Sequence, residues 1–203
     1  MDERDDSTDE AHDAAGGHHT FPAANADRLE DAVARYRRFS AEELCWALAL
    51  PTEGTVLDLG SGTGFYVDDV APRAGRVVGL DVQPAMHAYY RTKGVPENVR
   101  LVTASGDAFP LAAASVDAAY TTMTYHELPR VRTVAELARV LADGGRVVLA
   151  DWSADGEGES GPPLAERFTA ADAVSHLREA GFSVVHEAAR PETFLVVGER
   201  DDR

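Results

Sequence analysis

Three features of the sequence predict an α/β fold built on a doubly wound, mostly parallel sheet of seven strands, with helices on both faces and one antiparallel strand near the C-terminus. Val56-Leu57-Asp58-Leu59 is the short apolar run expected of a parallel strand covered on both faces, and it breaks into the turn Gly60-Ser61-Gly62-Thr63-Gly64 ahead of a helix. Further short apolar runs then alternate with helical segments as far as Ala150. The chain closes on a helix and two runs, Phe182–Glu187 and Phe194–Gly198, whose short link through Arg190 and Pro191 favours a hairpin.

Size and charge bound the reading. With 203 residues and 44% hydrophobic content, the chain suits one α/β domain, here read as residues 27–203. The 35 acidic against 19 basic residues give a formal net charge of -16, which repels nucleic-acid phosphates and leaves no basic stripe. Lys93 is the only lysine. An acidic, lysine-poor surface suits a salt-rich cytoplasm, where repulsion is screened over roughly 3 Å at 1 M salt; an acidic protein from a GC-rich genome is the alternative. Cys45 stands alone between Leu44 and Trp46, so no disulfide framework or cysteine metal site is expected, and it reads as a core residue. No run approaches the ~20 apolar residues of a membrane span, and the N-terminus is acidic and polar, so a cytoplasmic location is expected.

In order, Met1 to about Ala26 is acidic and poor in large apolar residues, with His12, His18 and His19 beside Gly16 and Gly17, and reads as a solvated tail. From Asp27, the residues Leu29, Ala32, Val33 and Tyr36 recur at helical spacing, and a second helix starts at a Ser40 cap with Glu43 at the capping-box position, so helices occupy 27–50. Beyond the glycine turn, Phe65–Val70 begins a short helix that Pro72 and Gly75 end. The second strand, Arg76–Leu80, stops at Asp81, about 20 residues past the turn, where nucleotide-binding α/β folds place an acid to accept from two ribose hydroxyls. Val99–Ala104 leads into Ser105-Gly106-Asp107-Ala108, and Val116–Thr122 runs into Met123-Thr124-Tyr125-His126-Glu127-Leu128-Pro129. A helix over Val131–Ala142 carries Val134, Leu137, Ala138 and Leu141 at core spacing and stops at Asp143-Gly144-Gly145. The fifth strand, Arg146–Ala150, delivers Asp151 and Trp152 to the same sheet edge. Ser153–Pro163 is rich in glycine and acid and reads as a mobile flap, and a helix over Thr169–Ala180, stopped by Gly181, precedes the closing hairpin.

Glycine spacing selects the ligand. Dinucleotide folds use Gly-x-Gly-x-x-Gly, but Phe65 holds the place of that third glycine and the pattern closes early as Gly-x-Gly-x-Gly, which speaks against a nicotinamide cofactor. With Asp58 just ahead of it, the run resembles the first motif of the class I S-adenosylmethionine-dependent methyltransferases, and the resemblance extends over roughly Thr55 to Gly198. It implies the Rossmann-like methyltransferase fold, with S-adenosylmethionine as cofactor and no metal. The implied cofactor contacts are Asp58, Gly60, Ser61, Gly62 and Gly64 at the turn, Asp81 and Val82 at the ribose, Met86 on the adenine face, Asp107 and Ala108 at the adenine edge, and Thr121 near the methionine end. His126 with Glu127 matches a His-Glu-Leu run that the family often carries after the fourth strand. A histidine there can take a proton from an oxygen or nitrogen nucleophile, or it can cap the next helix. Candidate acceptor contacts are Tyr36, on helices that in such families often lie over the cleft, and Tyr125, Asp151 and Trp152; packing or capping is the alternative for each.

Methyl transfer needs little covalent chemistry from the protein beyond alignment, exclusion of water and, for a protonated nucleophile, a base. The Asn/Asp-Pro-Pro-aromatic run of amino-methylating DNA enzymes and the Pro-Cys nucleophile of cytosine C5 enzymes are missing, and one cysteine does not suit arsenite methylation. A small-molecule acceptor is therefore expected. A protein that binds S-adenosylmethionine as a signal, and less readily a nicotinamide oxidoreductase, are the alternatives.

Overall fold

The computed structural model describes residues 20–50 and 53–201. The strands β1 (Thr55–Leu59), β2 (Arg76–Asp81), β3 (Val99–Thr103), β4 (Val116–Thr122), β5 (Leu141–Trp152), β6 (Phe182–Ala189) and β7 (Thr193–Arg200) form one sheet in the order β3-β2-β1-β4-β5-β7-β6. All pairs from β3 to β5 are parallel, and β7 runs antiparallel to both β5 and β6, which is the single reversed strand that the closing hairpin predicts. Helices α1 (Ala32–Arg38), α2 (Ala41–Leu48), α3 (Phe65–Val70), α4 (Pro84–Lys93), α5 (Arg130–Val140) and α6 (Ala170–Glu179) cover the sheet.

The period of two along each strand divides the core. Leu57 and Leu59 face α5 and α6, where Leu137, Val140, Ala173 and Leu177 pack on them, while Val56 faces the opposite layer with Leu44, Tyr66, Val67 and Tyr90 from α2, α3 and α4. Each fully buried Leu or Val contributes roughly 1.5–3 kcal/mol, and a one-residue slip would turn both sets to the wrong face. Helix starts follow local chemistry: the Ser40 hydroxyl accepts from the Glu43 amide at 3.2 Å, and Thr169 with Asp172 closes a full capping box on α6.

Several boundaries differ from the sequence reading. Helix α5 ends at Val140, and β5 starts at Leu141, with Gly144 at φ +71° within it. Residues 20–26, read as tail, are part of the fold: Ala23–Glu30 forms a 3-10 helix, and the Gln83 side-chain amide donates to the Phe21 carbonyl at 2.9 Å. His12, His18 and His19 lie outside the described residues. Cys45 is half-buried rather than enclosed. The Ser153–Pro163 segment is tied down: Arg167, whose side chain is 1% exposed, donates to the Ser160 and Pro162 carbonyls and pairs with Glu192. Among the described residues no helix is long and apolar enough to cross a membrane, and no cluster of three or more His, Cys, Asp or Glu is placed to hold a metal.

Candidate active site

A cavity of about 780 Å³ opens at the carboxyl ends of β1, β2, β4 and β5. Its floor is the glycine turn, fastened to β2 by the Gly60 and Ser61 amides, which donate to the Leu80 carbonyl at 2.8 and 3.0 Å. The three glycines do different work. Gly60, at φ +78°, is closed by the Thr124 side chain, and Gly64, also at φ +78°, by the Tyr90 ring, so a Cβ at either position would collide. A Cβ at Gly62 would meet nothing nearer than Leu29, at 3.6 Å, an ordinary van der Waals contact, and the residue lines the cavity. Gly64 is thus a packing glycine, off the cavity wall.

Asp81 and Asp58 are both buried, in contrasting surroundings. Asp81 accepts from the Gly62 amide through Oδ2 and from the Gln83 amide through Oδ1, each at 2.8 Å, and lines the cavity beside Val82 and Met86. Asp58 lies beneath the turn, where its Oδ1 has no hydrogen-bond partner among the described residues. Burial pushes its carboxyl up to about 7, against the opposing pull of the Tyr120 hydroxyl and the Arg35 guanidinium. Ser61 lines the cavity, with its hydroxyl 3.4 Å from His87 Nε2. Asp107 also lines it, and the Ser105 hydroxyl, which donates at 2.5 Å, holds its carboxyl below the usual range. Two further sequence candidates stand off the wall: Ala108 turns to solvent, and Thr121 is buried at the end of β4 with its hydroxyl unpartnered.

The strand ends of β4 and β5 bring His126 and Asp151 together. His126 Nδ1 lies 2.9 and 3.0 Å from the two Asp151 oxygens, and the His126 amide donates to Asp151 Oδ2 at 2.8 Å. An ionised carboxylate only accepts, so Nδ1 carries the hydrogen and Nε2 is left with the lone pair in the neutral ring. Burial opposes a charge on the ring, but the hydrogen bond and charge of Asp151 and then the charge of Glu127 outweigh it, and the His126 pKa is raised. Glu127, with Oε1 3.7 Å from His126 Nε2, is itself pushed up to about 7 by burial. Both His126 and Glu127 line the cavity.

The expected acceptor contacts divide. Trp152 lines the cavity, with the Arg38 and Arg167 guanidinium groups over its ring at 4.7 and 5.3 Å. Asp151 is a partner of His126 rather than part of the wall. Tyr125 is fully buried, with its hydroxyl 2.8 Å from His176 Nδ1, and so points into the α6 packing and away from the cavity. Tyr36 stands outside, donating to Asp69, because its ring packs on Phe65 from the solvent side. Sequence reasoning missed the lid formed by Thr20, Phe21, Pro22, Asn25 and Leu29, for which Phe21-Pro22, an apolar island in a polar tail, was the one available signal. It also missed Arg35 and Arg38 on the inner side of α1.

Residues 57–149 match the family model described as a methyltransferase domain. Among curated proteins, the chain is 32% identical over 154 residues to an uncharacterized methyltransferase of Mycobacterium tuberculosis, covering 68% of this chain and 62% of that protein. It is 33% identical over 121 residues to the biotin biosynthesis bifunctional protein BioHC of Cellvibrio japonicus, covering 59% of this chain and 24% of that one. It is 30% identical over 149 residues to the ubiquinone/menaquinone biosynthesis C-methyltransferase UbiE of Sinorhizobium fredii, with 70% and 55% covered. The chain therefore spans less than two thirds of the length of each of these relatives. Among solved structures, an S-adenosylmethionine-dependent methyltransferase from Aquifex aeolicus superposes with a TM-score of 0.80 at 27% identity, covering 89% of this chain and 99% of that one. A Haloferax volcanii putative methyltransferase, solved with its Trm112 activator, shares the fold at a TM-score of 0.71 and 22% identity, with 89% and 97% covered. Motif order, sheet topology and these likenesses agree, and the chain belongs to the class I S-adenosylmethionine-dependent methyltransferases.

Proposed function

We propose that the chain transfers the methyl group of S-adenosylmethionine to a small-molecule acceptor inside this cavity, with His126 as the general base. The observation that carries this reading is that His126, held at Nδ1 by Asp151, lines the same cavity as the glycine turn and Asp81. A protein that merely senses the cofactor has no use for a positioned base, which favours the enzyme over a regulatory binder.

The residues suit the cofactor. Each Asp81 oxygen takes one amide and keeps acceptor capacity for a ribose hydroxyl. The buried, donor-free Oδ1 of Asp58 suits an ammonium group above it. Val82, half-exposed, and Met86 offer apolar surface to an adenine, with Asp107 at its edge. Gly64, Ala108 and Thr121 are left out of this set because they lie off the cavity wall; Asp58, also behind the wall, is kept for its buried unpartnered oxygen directly beneath the glycine turn. The cofactor, when bound, supplies a methyl group already activated on a sulfonium. The chain's own part is to hold both partners in line, to exclude water beneath the Thr20–Leu29 lid and Trp152, and to accept the acceptor's proton at His126 Nε2. A lidded cavity of this size, a net charge of -16, and relatives named for quinone and biotin biosynthesis support a small acceptor over a nucleic acid.

Calorimetric titration with S-adenosylhomocysteine, S-adenosylmethionine and NADH tests the cofactor: the adenosyl ligands should bind and Asp81→Ala should weaken them about 100-fold, as expected for two lost hydrogen bonds to a charged group. In methyl-label transfer to cell extract, His126→Ala should lose transfer and keep cofactor binding. Tight NADH binding in place of the adenosyl ligands would overturn the reading.

A further inference from the structure

The acids of this chain outnumber its bases, yet one wall of the cavity is cationic. Arg35 and Arg38 stand three residues apart on α1, one helical turn, and both line the cavity. Neither forms an ion pair among the described residues, whereas Arg139, Arg167 and Arg190 are each matched with a glutamate. Aromatic rings hold both guanidinium groups: the Arg35 Cζ lies over the Phe65 and Tyr66 rings at 5.1 and 4.7 Å, and the Arg38 Cζ over Trp152 at 4.7 Å. Arg35 Nε is buried with no partner, and Arg38 uses only two of its donors, to the Ala34 carbonyl at 2.7 Å and the Ser160 hydroxyl at 3.3 Å. Asp31, at the start of α1, also lines the cavity and accepts the Ala34 amide through Oδ1, and the charges of Asp58 and Glu30 act on Arg35 without an ion pair to it among the described residues.

Guanidinium groups seated on aromatic rings with N–H donors to spare match a carboxylate or a phosphate. Their place decides which ligand they serve. Arg38 touches Trp152, which ends β5 next to Asp151, and Ser160 in the segment beyond it, so its charge sits on the β5 side of the cavity, where His126 is held, rather than beside Met86 and Asp107. We propose that Arg38, with Arg35 beside it, forms an oxyanion subsite, and that the methyl acceptor is a small molecule bearing a carboxylate or phosphate on an apolar body. The inference rests on the methyltransferase reading for the word acceptor; the anion subsite itself does not.

The test titrates octanoate, octyl phosphate and octanamide into the 203-residue protein at fixed ionic strength, with and without saturating S-adenosylhomocysteine. At least one anion should bind about tenfold or more tighter than the uncharged amide, and the ratio of the two anions tells carboxylate from phosphate. Arg38→Gln should abolish that preference while S-adenosylhomocysteine affinity holds, and Arg38→Lys, which keeps charge but loses the fork, should retain part of it. Octanamide binding as well as both anions, or an anion preference untouched by Arg38→Gln, would overturn the subsite. Arg35→Gln should weaken the anion too; if instead it removes S-adenosylhomocysteine binding and spares the anion, Arg35 serves the cofactor and the paired site is wrong. If S-adenosylhomocysteine does not bind the unaltered protein while the anion preference persists, the methyltransferase reading fails and the subsite stands.

Discussion

Asp58→Asn is expected to stabilise the ligand-free protein, and the gain should grow with pH. The Asp58 carboxyl is raised from its ordinary 3.8 to about 7, chiefly by burial beneath the glycine turn. Below the ordinary value both the folded and unfolded chains hold the proton and the group costs nothing. As pH climbs toward 7 the unfolded chain ionises and the folded one does not, so stability falls through this window and the full penalty applies above it. At about 1.4 kcal/mol per pH unit the full penalty is about 4 kcal/mol, of which roughly 3 kcal/mol accrues between pH 5 and pH 8. Only this increment is diagnostic, because whatever the amide changes in packing is present at both ends. For a chain of this size 1 kcal/mol moves Tm by roughly 2–4 °C. The melting advantage of the variant should therefore widen by about 5–12 °C from pH 5 to pH 8, read by scanning calorimetry without ligand. Saturating S-adenosylhomocysteine, whose ammonium group the proposed binding mode sets beside Asp58, should shrink it. Parallel pH profiles for the two proteins would refute the assignment of a buried, unpartnered carboxyl.

Asp151→Asn should slow methyl transfer by about 100-fold or more and move the acidic limb of the pH profile downward. The working base is the neutral ring, activity falls as pH drops through a His126 value now held above the ordinary 6.5, and removing the carboxylate lowers that value; an unmoved limb in the pH–rate curve would count against the pairing. Gly64→Ala, at φ +78° and against the Tyr90 ring, should cost about 2–4 kcal/mol in urea denaturation, with cofactor affinity per folded molecule little changed because the residue is off the cavity wall. Arg167→Met should free the Ser153–Pro163 segment, since three loop carbonyls and Glu192 lose their donor. Faster limited proteolysis within 153–163 checks it, and unchanged cleavage would show that the loop is held by other contacts.

What the sequence carried was local. Short apolar runs, capping residues and glycine stops specify strands and helices through neighbours a few positions apart, and so the parallel sheet, the Ser40 cap, the helix beginning at Thr169 and the reversed last strand were readable in advance. The glycine turn was readable because its backbone conformation is set by its own residues. Contacts between elements were not. Tyr125 and His126 are adjacent in sequence, yet one hydroxyl goes to His176, 51 residues away, and the other ring to Asp151, 25 residues away, and no periodicity encodes that division. Gly60 and Gly64 look alike in the motif; only Thr124 and Tyr90, brought by other elements, make them packing positions while Gly62 stays open. The lid escaped notice because a window dominated by charge hid the two residues, Phe21 and Pro22, that dock it.

The position of His126 follows from the same sheet. Thr122 pairs with Ala150, and the Met123 amide still donates to the Ala150 carbonyl at 2.8 Å, so β4 leaves the sheet beside Asp151 while β5 continues to Trp152 against β7. Met123 then takes φ +55°, a left-handed conformation that costs a side-chain-bearing residue on the order of 1 kcal/mol or more. That turn reverses the chain into the short 3-10 helix Tyr125–Glu127 and carries the His126 amide and ring back onto the Asp151 carboxylate, one residue before the end of β5. Without it, β4 would run on over the sheet edge and His126 would be carried away from Asp151. The strain at Met123 is repaid by three hydrogen-bond contacts to a buried carboxylate, and what it secures is an imidazole whose tautomer and direction are fixed at the cavity wall.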